Sequence, residues 1–300
     1  MTTSAPSLPS TTAAAAATKL LVGLIGAGIQ RSLTPAMQEE EARAQGLRLH
    51  YQLIDLDLRG LGAEALPGLL DAVRTIGFAG LNITYPCKQA VIPLLDGLSD
   101  EARVMGAVNT VVQRDGRLVG HNTDGPGWRW GFERALPGAD LARVVLLGAG
   151  GAGSAIAHSV MRMHARELIL VDREVERAHE LAAELNAHYG GRRASGTGDA
   201  AAAMTGASGL IHATPTGMDK LPGLPLDAAL LRPAMWVSEI VYFPLETALL
   251  KAARERGCRV ADGGGMAVGQ AVGAFELFTG RQADAARMDA HFRRLVAAIR

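Results

Sequence analysis

Two patterns alternate along the chain: short apolar runs bounded by glycine or polar residues, and longer stretches whose apolar positions recur every three or four residues. The runs have strand length and the stretches helix length, so their alternation implies parallel sheets covered by helices, an α/β protein. In the first third the pattern predicts strands over residues 21–25, 49–54 and 78–83, with helices over 35–45 and 61–74 between them. Two further runs, 107–113 and 117–120, are separated by Asp115-Gly116 and read as a hairpin. A helix over 122–136, capped by Asn122 or Thr123, leads into a second alternating series. That series predicts strands over 144–147, 168–171, 209–213 and 236–240, a short strand near Val260, and helices over 154–164, 174–188 and 245–256. Two last helices, 266–279 and 283–299, lie beyond it, and periodicity does not say which series they join.

The junction after residue 147 carries the most information. Val144-Val145-Leu146-Leu147 is apolar throughout, as a strand buried on both faces should be. It runs into Gly148-Ala149-Gly150-Gly151-Ala152-Gly153, in which Gly148, Gly150 and Gly153 fit G-x-G-x-x-G. The first glycine permits a tight turn, the second lets a pyrophosphate approach the backbone, and the third lets helix and strand pack closely. The helix that follows offers free N–H groups and its positive dipole end to phosphates. The next strand ends in Asp172, roughly the ~20 residues on at which a carboxylate reaches the adenosine ribose. Glycines also collect in ordinary turns, but strand, turn, helix, strand and acid in that order indicate a dinucleotide site. An internal control supports this. Residues 21–28 also read as a strand with glycines, but Arg31 stands where the third glycine belongs, so that loop is rejected as a cofactor loop.

Composition narrows the class. The 300 residues are 48% hydrophobic and 20% charged, enough for two domains with cores of their own. Formal charge is zero and no basic cluster stands out, which argues against nucleic acid or an anionic membrane as partner and favours a small molecule. Cys87 and Cys258 lie far apart, giving neither a disulfide framework nor a metal spacing; no metal is expected. Residues 1–18, rich in Ala, Ser, Thr and Pro, lack a basic start and an apolar core, so they read as a disordered tail rather than a signal peptide. No apolar run has membrane-spanning length, and the cytoplasm is the expected location. Oligomeric state, monomer or homodimer, is left open.

Outside the glycine loop, polar residues collect where strands end. Ser32 and Thr34 precede Pro35 at a helix start; they suit a carboxylate ligand or a helix cap equally well. Thr84 and Lys88 follow the third strand, at the carboxyl edge where open α/β sheets bind ligands, although a lysine there is usually a solvated charge. Asp124 opens the linking helix, where the dipole alone favours an acid.

Taken together, these stretches resemble a family. Ser32-Leu33-Thr34-Pro35, Asn82-Ile83-Thr84-Tyr85-Pro86-Cys87-Lys88, Gly106-Ala107-Val108-Asn109-Thr110, Asn122-Thr123-Asp124-Gly125, Gly148 to Gly153, Ala213-Thr214-Pro215-Thr216-Gly217-Met218, and Gly265-Met266 with Gln270 resemble, in order, the motifs of the shikimate/quinate dehydrogenases. The resemblance implies an N-terminal α/β substrate domain (19–122 with 266–300) and a C-terminal Rossmann domain (123–265), with the last helices folding back on the first. It implies reversible hydride transfer between a nicotinamide cofactor and the ring hydroxyl of shikimate, giving the 3-dehydro ketone, in aromatic synthesis or in quinate use. Lys88 and Asp124 are then the catalytic pair, a lysine being able to stabilise a developing alkoxide and supply its proton. Ser32 and Thr34 hold the substrate carboxylate. Thr84, Asn109, Tyr242 and Gln270 hold ring hydroxyls. Besides the glycine loop, Asp172, Arg173, Thr214, Ile240, Gly263 and Met266 contact the cofactor.

Three departures from the family pattern matter. Residues 26–31, Gly-Ala-Gly-Ile-Gln-Arg, replace the usual Pro-and-His version, and Thr34 replaces a serine common in strict biosynthetic enzymes, which adds quinate as a second substrate. His212 stands where an asparagine is common and reads as a buried, satisfied histidine. Asp172-Arg173-Glu174 replaces the Asn-Arg-Thr of NADP-using relatives. It predicts a preference for NAD over NADP rather than exclusion, because a carboxylate there faces the 2′-phosphate. A folate or amino-acid dehydrogenase of the same architecture and a non-catalytic nucleotide sensor are the competing readings. The paired hydroxyls and Lys88 with Asp124 argue against them.

Overall fold

The computed structural model describes residues 19–299; the predicted N-terminal tail lies outside them. The chain runs β1 (Lys19–Gly26), α1 (Thr34–Ala44), β2 (Arg48–Asp55), α2 (Leu56–Arg59), α3 (Leu66–Ile76), β3 (Gly80–Ile83), α4 (Cys87–Ala90), β4 (Gly97–Leu98), α5 (Asp100–Met105), β5 (Thr110–Arg114) and β6 (Arg117–His121). It continues with α6 (Asp124–Ala135), β7 (Arg143–Leu147), α7 (Gly151–Arg162), β8 (Glu167–Val171), α8 (Val175–Tyr189), β9 (Ala194–Thr197), α9 (Ala200–Met204), β10 (Gly209–His212), β11 (Trp236–Glu239), α10 (Ala248–Glu255), β12 (Arg259–Ala261), α11 (Gly264–Thr279) and α12 (Ala285–Ile299).

The strands form two six-stranded sheets, ordered β2-β1-β3-β5-β6-β4 and β12-β11-β10-β7-β8-β9. The second is parallel throughout, as its apolar runs predict, and has the doubly wound order of a Rossmann sheet. The first is parallel at β2-β1-β3 and becomes antiparallel at β5 and β6. That change is the predicted hairpin, whose Asp115 and Gly116 both take positive φ, 51° and 73°. Val144, Leu146, Leu168 and Leu170 are buried on one face of the second sheet with Ile156 and Val160 of α7, and Val145, Leu147 and Ile169 on the other face with Leu249 of α10.

Several boundaries differ from the sequence reading. The helix expected over 61–74 is split into α2, a 3₁₀ turn over Ala63–Ala65, and α3, because Asp55 caps an early turn and Gly60, at φ 62°, ends it. The helix expected from residue 154 starts at Gly151. At the start of α6 Thr123 makes no side-chain cap, since its hydroxyl is drawn to Asn109 and to the Gln270 carbonyl, while Asn122 Oδ1 accepts the Asp124 N–H at 3.0 Å.

The last helices return to the first sheet: Ala274 and Phe278 of α11 pack with Val22, Leu24 and Tyr51. Arg287 of α12 donates twice to Glu41 of α1, both at 2.7 Å. Burial opposes the Glu41 charge, but these bonds hold its carboxyl below the usual range. Helix α6 crosses α11 at backbone contact. A Cβ added to Gly127 would lie 2.4 Å from the Gln270 nitrogen, and one on Gly131 2.6 Å from the Gly265 carbonyl carbon. Only glycine fits at this crossing.

Candidate active site

At the carboxyl edge of the first sheet, β1, β3 and β6 end and β5 begins. The loop after β1 is tied to the loop after β3: Ala27 N–H donates to the Tyr85 carbonyl at 2.9 Å and Thr84 N–H to the Ile25 carbonyl at 2.9 Å. A Cβ on Gly26 would lie 2.2 Å from the Thr84 methyl, so the two loops meet only because residue 26 is glycine. Ser32, Thr34, Thr84 and Lys88 share this edge, each half-buried. Ser32 Oγ accepts the Thr34 N–H at 3.3 Å, and the Thr34 hydroxyl makes no cap.

Lys88, on α4, meets Asp124, the first residue of α6, with Nζ to Oδ2 at 2.5 Å. The side chains are 23% and 8% exposed, so the ammonium is partly open to solvent while the carboxylate is withdrawn behind it. Asn109 fixes Asp124 from the other side. Its Nδ2 donates to Asp124 Oδ1 at 2.8 Å and to Thr123 Oγ1 at 2.9 Å, and its Oδ1 accepts the Thr123 N–H at 2.8 Å and the Thr110 hydroxyl at 3.0 Å. Both amide hydrogens of Asn109 are therefore committed within the protein. Behind it, Asn82 Nδ2 reaches Thr110 Oγ1 and Tyr51 OH donates to Asn82 Oδ1 at 2.7 Å. Sequence reasoning missed Tyr51, Thr110 and Thr123; a run of buried polar residues beside Asn109 was the available signal.

Gln270 reaches the cluster through α11, its carbonyl accepting the Thr123 hydroxyl at 3.1 Å. Its side-chain amide donates to the Ala267 carbonyl at 2.9 Å. Tyr242 stands apart, 36% exposed, with its ring against Phe292. Among the described residues no side-chain hydrogen bond joins Ser32, Thr34, Thr84 or Tyr242 to the Lys88–Asp124 pair.

The second set lies along the second sheet. Gly263, Ile240, Thr214, Gly148 and Asp172 follow the carboxyl ends of β12, β11, β10, β7 and β8, five neighbouring strands. Met266 packs against the core just inside α11, and Arg173 is exposed beside Asp172. The glycines divide by role. Gly148 has φ 99°, and a Cβ on Gly153 would lie 1.9 Å from the Gly148 oxygen, so turn geometry and close packing demand both. At Gly150 and Gly151 a Cβ meets nothing within 4 Å, so the protein itself leaves that space above the N-terminus of α7 free. An open cradle of backbone N–H groups at a topological switch point fits a dinucleotide pyrophosphate. Asp172 Oδ2 accepts the Ala149 N–H at 2.8 Å and Oδ1 the Glu174 N–H at 3.0 Å, holding a carboxylate at the lip of the cradle.

His212 is buried and satisfied, as expected. Its Nδ1 lies 2.8 Å from Glu239 Oε1 and its Nε2 2.5 Å from Thr214 Oγ1. Glu239, missed in the sequence, also accepts the Ile240 and Val241 N–H groups and the Thr247 hydroxyl.

Proteins of known kind resemble this chain in sequence and fold. Residues 24–111 match the model of the shikimate dehydrogenase substrate binding domain, 132–195 that of shikimate / quinate 5-dehydrogenase, and 263–291 that of the shikimate 5'-dehydrogenase C-terminal domain. A shikimate dehydrogenase (NADP(+)) of Streptomyces avermitilis is 57% identical over 89% of this chain and 93% of its own length. The chain belongs to the shikimate/quinate dehydrogenase family. It is thus an oxidoreductase built for a nicotinamide cofactor. A quinate/shikimate dehydrogenase (NAD(+)) of Corynebacterium efficiens is 48% identical over 91% of this chain and 97% of its own. Among solved structures, a quinate dehydrogenase from Corynebacterium glutamicum in complex with NAD superposes with a TM-score of 0.86 at 44% identity, over 92% of this chain and 99% of that one. Cofactor names thus divide among the relatives. Among the described residues no helix is long and apolar enough to cross a membrane, and no cluster of His, Cys, Asp and Glu could hold a metal ion.

Proposed function

We propose that this enzyme interconverts shikimate and 3-dehydroshikimate, accepts quinate as a second substrate, and prefers NAD to NADP. The observation that carries the reading is the Lys88–Asp124 pair: two residues 36 positions apart, brought to 2.5 Å at a sheet edge and braced by Asn109. A bound nicotinamide ring supplies the hydride. In the reducing direction negative charge develops on the ring oxygen, and Lys88 Nζ stabilises it and delivers the proton; in the oxidising direction the same pair takes the proton back. Asp124 holds the ammonium in place, and Asn109 holds Asp124, so Asn109 acts on the ring through that carboxylate. Ser32 and Thr34 bind the substrate carboxylate, with Thr84, Gln270 and Tyr242 around the ring. Residues 19–122 with 266–300 serve as the substrate unit and 123–265 as the nucleotide unit.

NAD preference rests on Asp172. Ribose hydroxyls can donate to its carboxylate, whereas the 2′-phosphate of NADP is repelled by it. Glu174 adds less, because Arg177 pairs with it at 2.7 Å. Initial rates for shikimate and quinate, each with NAD and NADP, test the reading. Turnover of shikimate with NAD at about tenfold higher kcat/KM than with NADP is the expected result. Inert shikimate would overturn the substrate assignment, and faster NADP turnover the cofactor assignment.

A further inference from the structure

The buried His212–Glu239 pair has no part in the chemistry above, yet both imidazole nitrogens and both carboxylate oxygens have hydrogen-bond partners. All partners of Glu239 are donors: the Ile240 N–H at 2.9 Å, the Val241 N–H at 3.0 Å, the Thr247 hydroxyl at 3.0 Å, and His212 Nδ1. The Thr247 hydroxyl has its proton free for Glu239, since its oxygen already receives the Leu250 N–H of α10 at 3.3 Å. His212 Nδ1 therefore carries a proton, and in the neutral imidazole Nε2 is an acceptor. Nε2 lies 2.5 Å from Thr214 Oγ1, and in that neutral form it takes the hydroxyl proton. Thr214 Oγ1 also receives the Thr216 N–H at 3.3 Å, and one lone pair remains.

The Thr214 side chain borders the cradle. The Thr214 methyl would be 3.0 Å from a Cβ on Gly148, and Thr214 follows β10 while Asp172 follows β8, with β7 between them. A dinucleotide laid across the switch point with its adenosine ribose at Asp172 puts its other half over β10. We infer that His212, as the neutral imidazole held by Glu239, positions Thr214 as a hydrogen-bond acceptor for an N–H or O–H donor on the nicotinamide nucleoside of the cofactor. His212 and Glu239 are positioning residues: they touch no ligand and act by fixing which way the Thr214 hydroxyl points. This rests on the dinucleotide reading of the glycine loop.

Glu239→Gln is nearly isosteric and reverses the chain. Its amide donates to His212 Nδ1, Nε2 becomes the N–H, and Thr214 turns its proton outward. Fluorescence titration with NADH measures the effect without turnover. Glu239→Gln and Thr214→Val should each raise the NADH Kd about three- to tenfold, Thr214→Ser should restore wild-type binding, and ADP, which lacks the nicotinamide nucleoside, should bind all variants equally. In the Glu239→Gln/Thr214→Val double variant the second change should add nothing, because both act through one hydroxyl. Additive losses, or equal losses for ADP, would show a merely structural pair and overturn the inference, as would NADH binding unchanged in Glu239→Gln. Should that variant not fold, His212→Asn replaces it in the same cycle, keeping the N–H to Glu239 and withdrawing the acceptor from Thr214. Failure of the wild-type protein to bind NADH would instead overturn the dinucleotide reading itself.

Discussion

The two halves of the molecule begin with the same plan and put it to opposite uses. Each starts with an apolar strand, a glycine-bearing loop, a helix and a parallel strand ending in aspartate: β1, α1 and β2 to Asp55, then β7, α7 and β8 to Asp172. In both, that aspartate reaches back to the loop. Asp55 is 3% exposed and accepts four hydrogen bonds, from Gly28 N–H, Ile29 N–H, Asp57 N–H and Gln30 Nε2, all between 3.0 and 3.1 Å. Asp172 takes one loop N–H, stays half-buried, and leaves the space over Gly150 and Gly151 free. The first loop is closed against its own aspartate; the second is an open cradle. Where the carboxylate directs its lone pairs separates the two, and a glycine count alone cannot show that.

The sharpest way to break this contrast is to remove the chemistry from the first half while leaving the second intact. Lys88→Ala should lower kcat by roughly 10²–10⁴-fold with little rise in substrate KM, the NADH Kd staying at its wild-type value. Asp124→Asn should cost at least ~10-fold in rate. Near-normal turnover with weak substrate binding in Lys88→Ala would move that residue to a binding role. The converse variant, Gly150→Ala, fills only the open cradle. It should raise the NADH Kd roughly tenfold, about 1.4 kcal/mol, while the melting temperature moves by less than about 4 °C. A wild-type Kd there would mean that the free space is not where the pyrophosphate lies.

Exchanging the two aspartates sharpens the contrast further. Asp172→Asn with Glu174→Thr should narrow or invert the NAD to NADP ratio of kcat/KM at a smaller stability cost than a change at Asp55, since Asp172 is half-buried and accepts two N–H groups rather than four donors. Asp55→Asn should leave that ratio alone and cost about 1–3 kcal/mol in denaturant unfolding, since an amide nitrogen would face buried donors. Burial raises the Asp55 pKa, but the four hydrogen bonds outweigh it and hold the pKa below the ordinary carboxylate value of 3.8. Its stabilisation is therefore present above that value and lost as pH falls through the lower folded one, and Asp55→Asn should flatten acid unfolding there.

The last effect belongs to the second half and vanishes at neutral pH. His158 on α7 is fully buried, with Tyr189 OH at Nδ1 and no hydrogen bond at Nε2, where Glu184 Oε1 lies 3.7 Å away. Burial, with His188 and Arg162 nearby, pulls its pKa from 6.5 to about 4. The unfolded chain binds that proton first, so as pH falls from 6.5 to about 4 stability should decline by at most ~1.4 kcal/mol per pH unit, with little change at neutrality. His158→Gln should remove this slope; an unchanged stability–pH curve in that variant would assign the decline to another group.

Much of this was legible in the sequence where a residue's role is local. Gly148, Gly153 and the Asp115-Gly116 turn announce themselves because backbone conformation constrains which residue can stand there. Short elements such as α4, β4, α5, β9 and α9 were not legible, since two to six residues carry too little periodicity and form because neighbours hold them. The site divides in the same way. Lys88 and Asp124 could be singled out by motif, but the brace from Tyr51 through Asn82, Thr110 and Asn109 to Asp124 spans four strands. Glu239 was silent for the same reason, its partners lying 27 residues back and 8 ahead. Buried polar networks are defined by tertiary neighbours, and no spacing rule encodes them.

The crossing of α6 and α11 carries a consequence for how this enzyme can change over generations. Gly127 and Gly131 face Gly265 and Gly269 with no side chain between them, on the two helices that bear Asp124 and Gln270. Such a joint has no rotamers to adjust, so its spacing is as invariant as the peptide unit itself. A substitution there can break the joint but cannot tune it, and every gradual adaptation of substrate or cofactor choice is forced outward into the loops, around a frame that inheritance can only copy or lose.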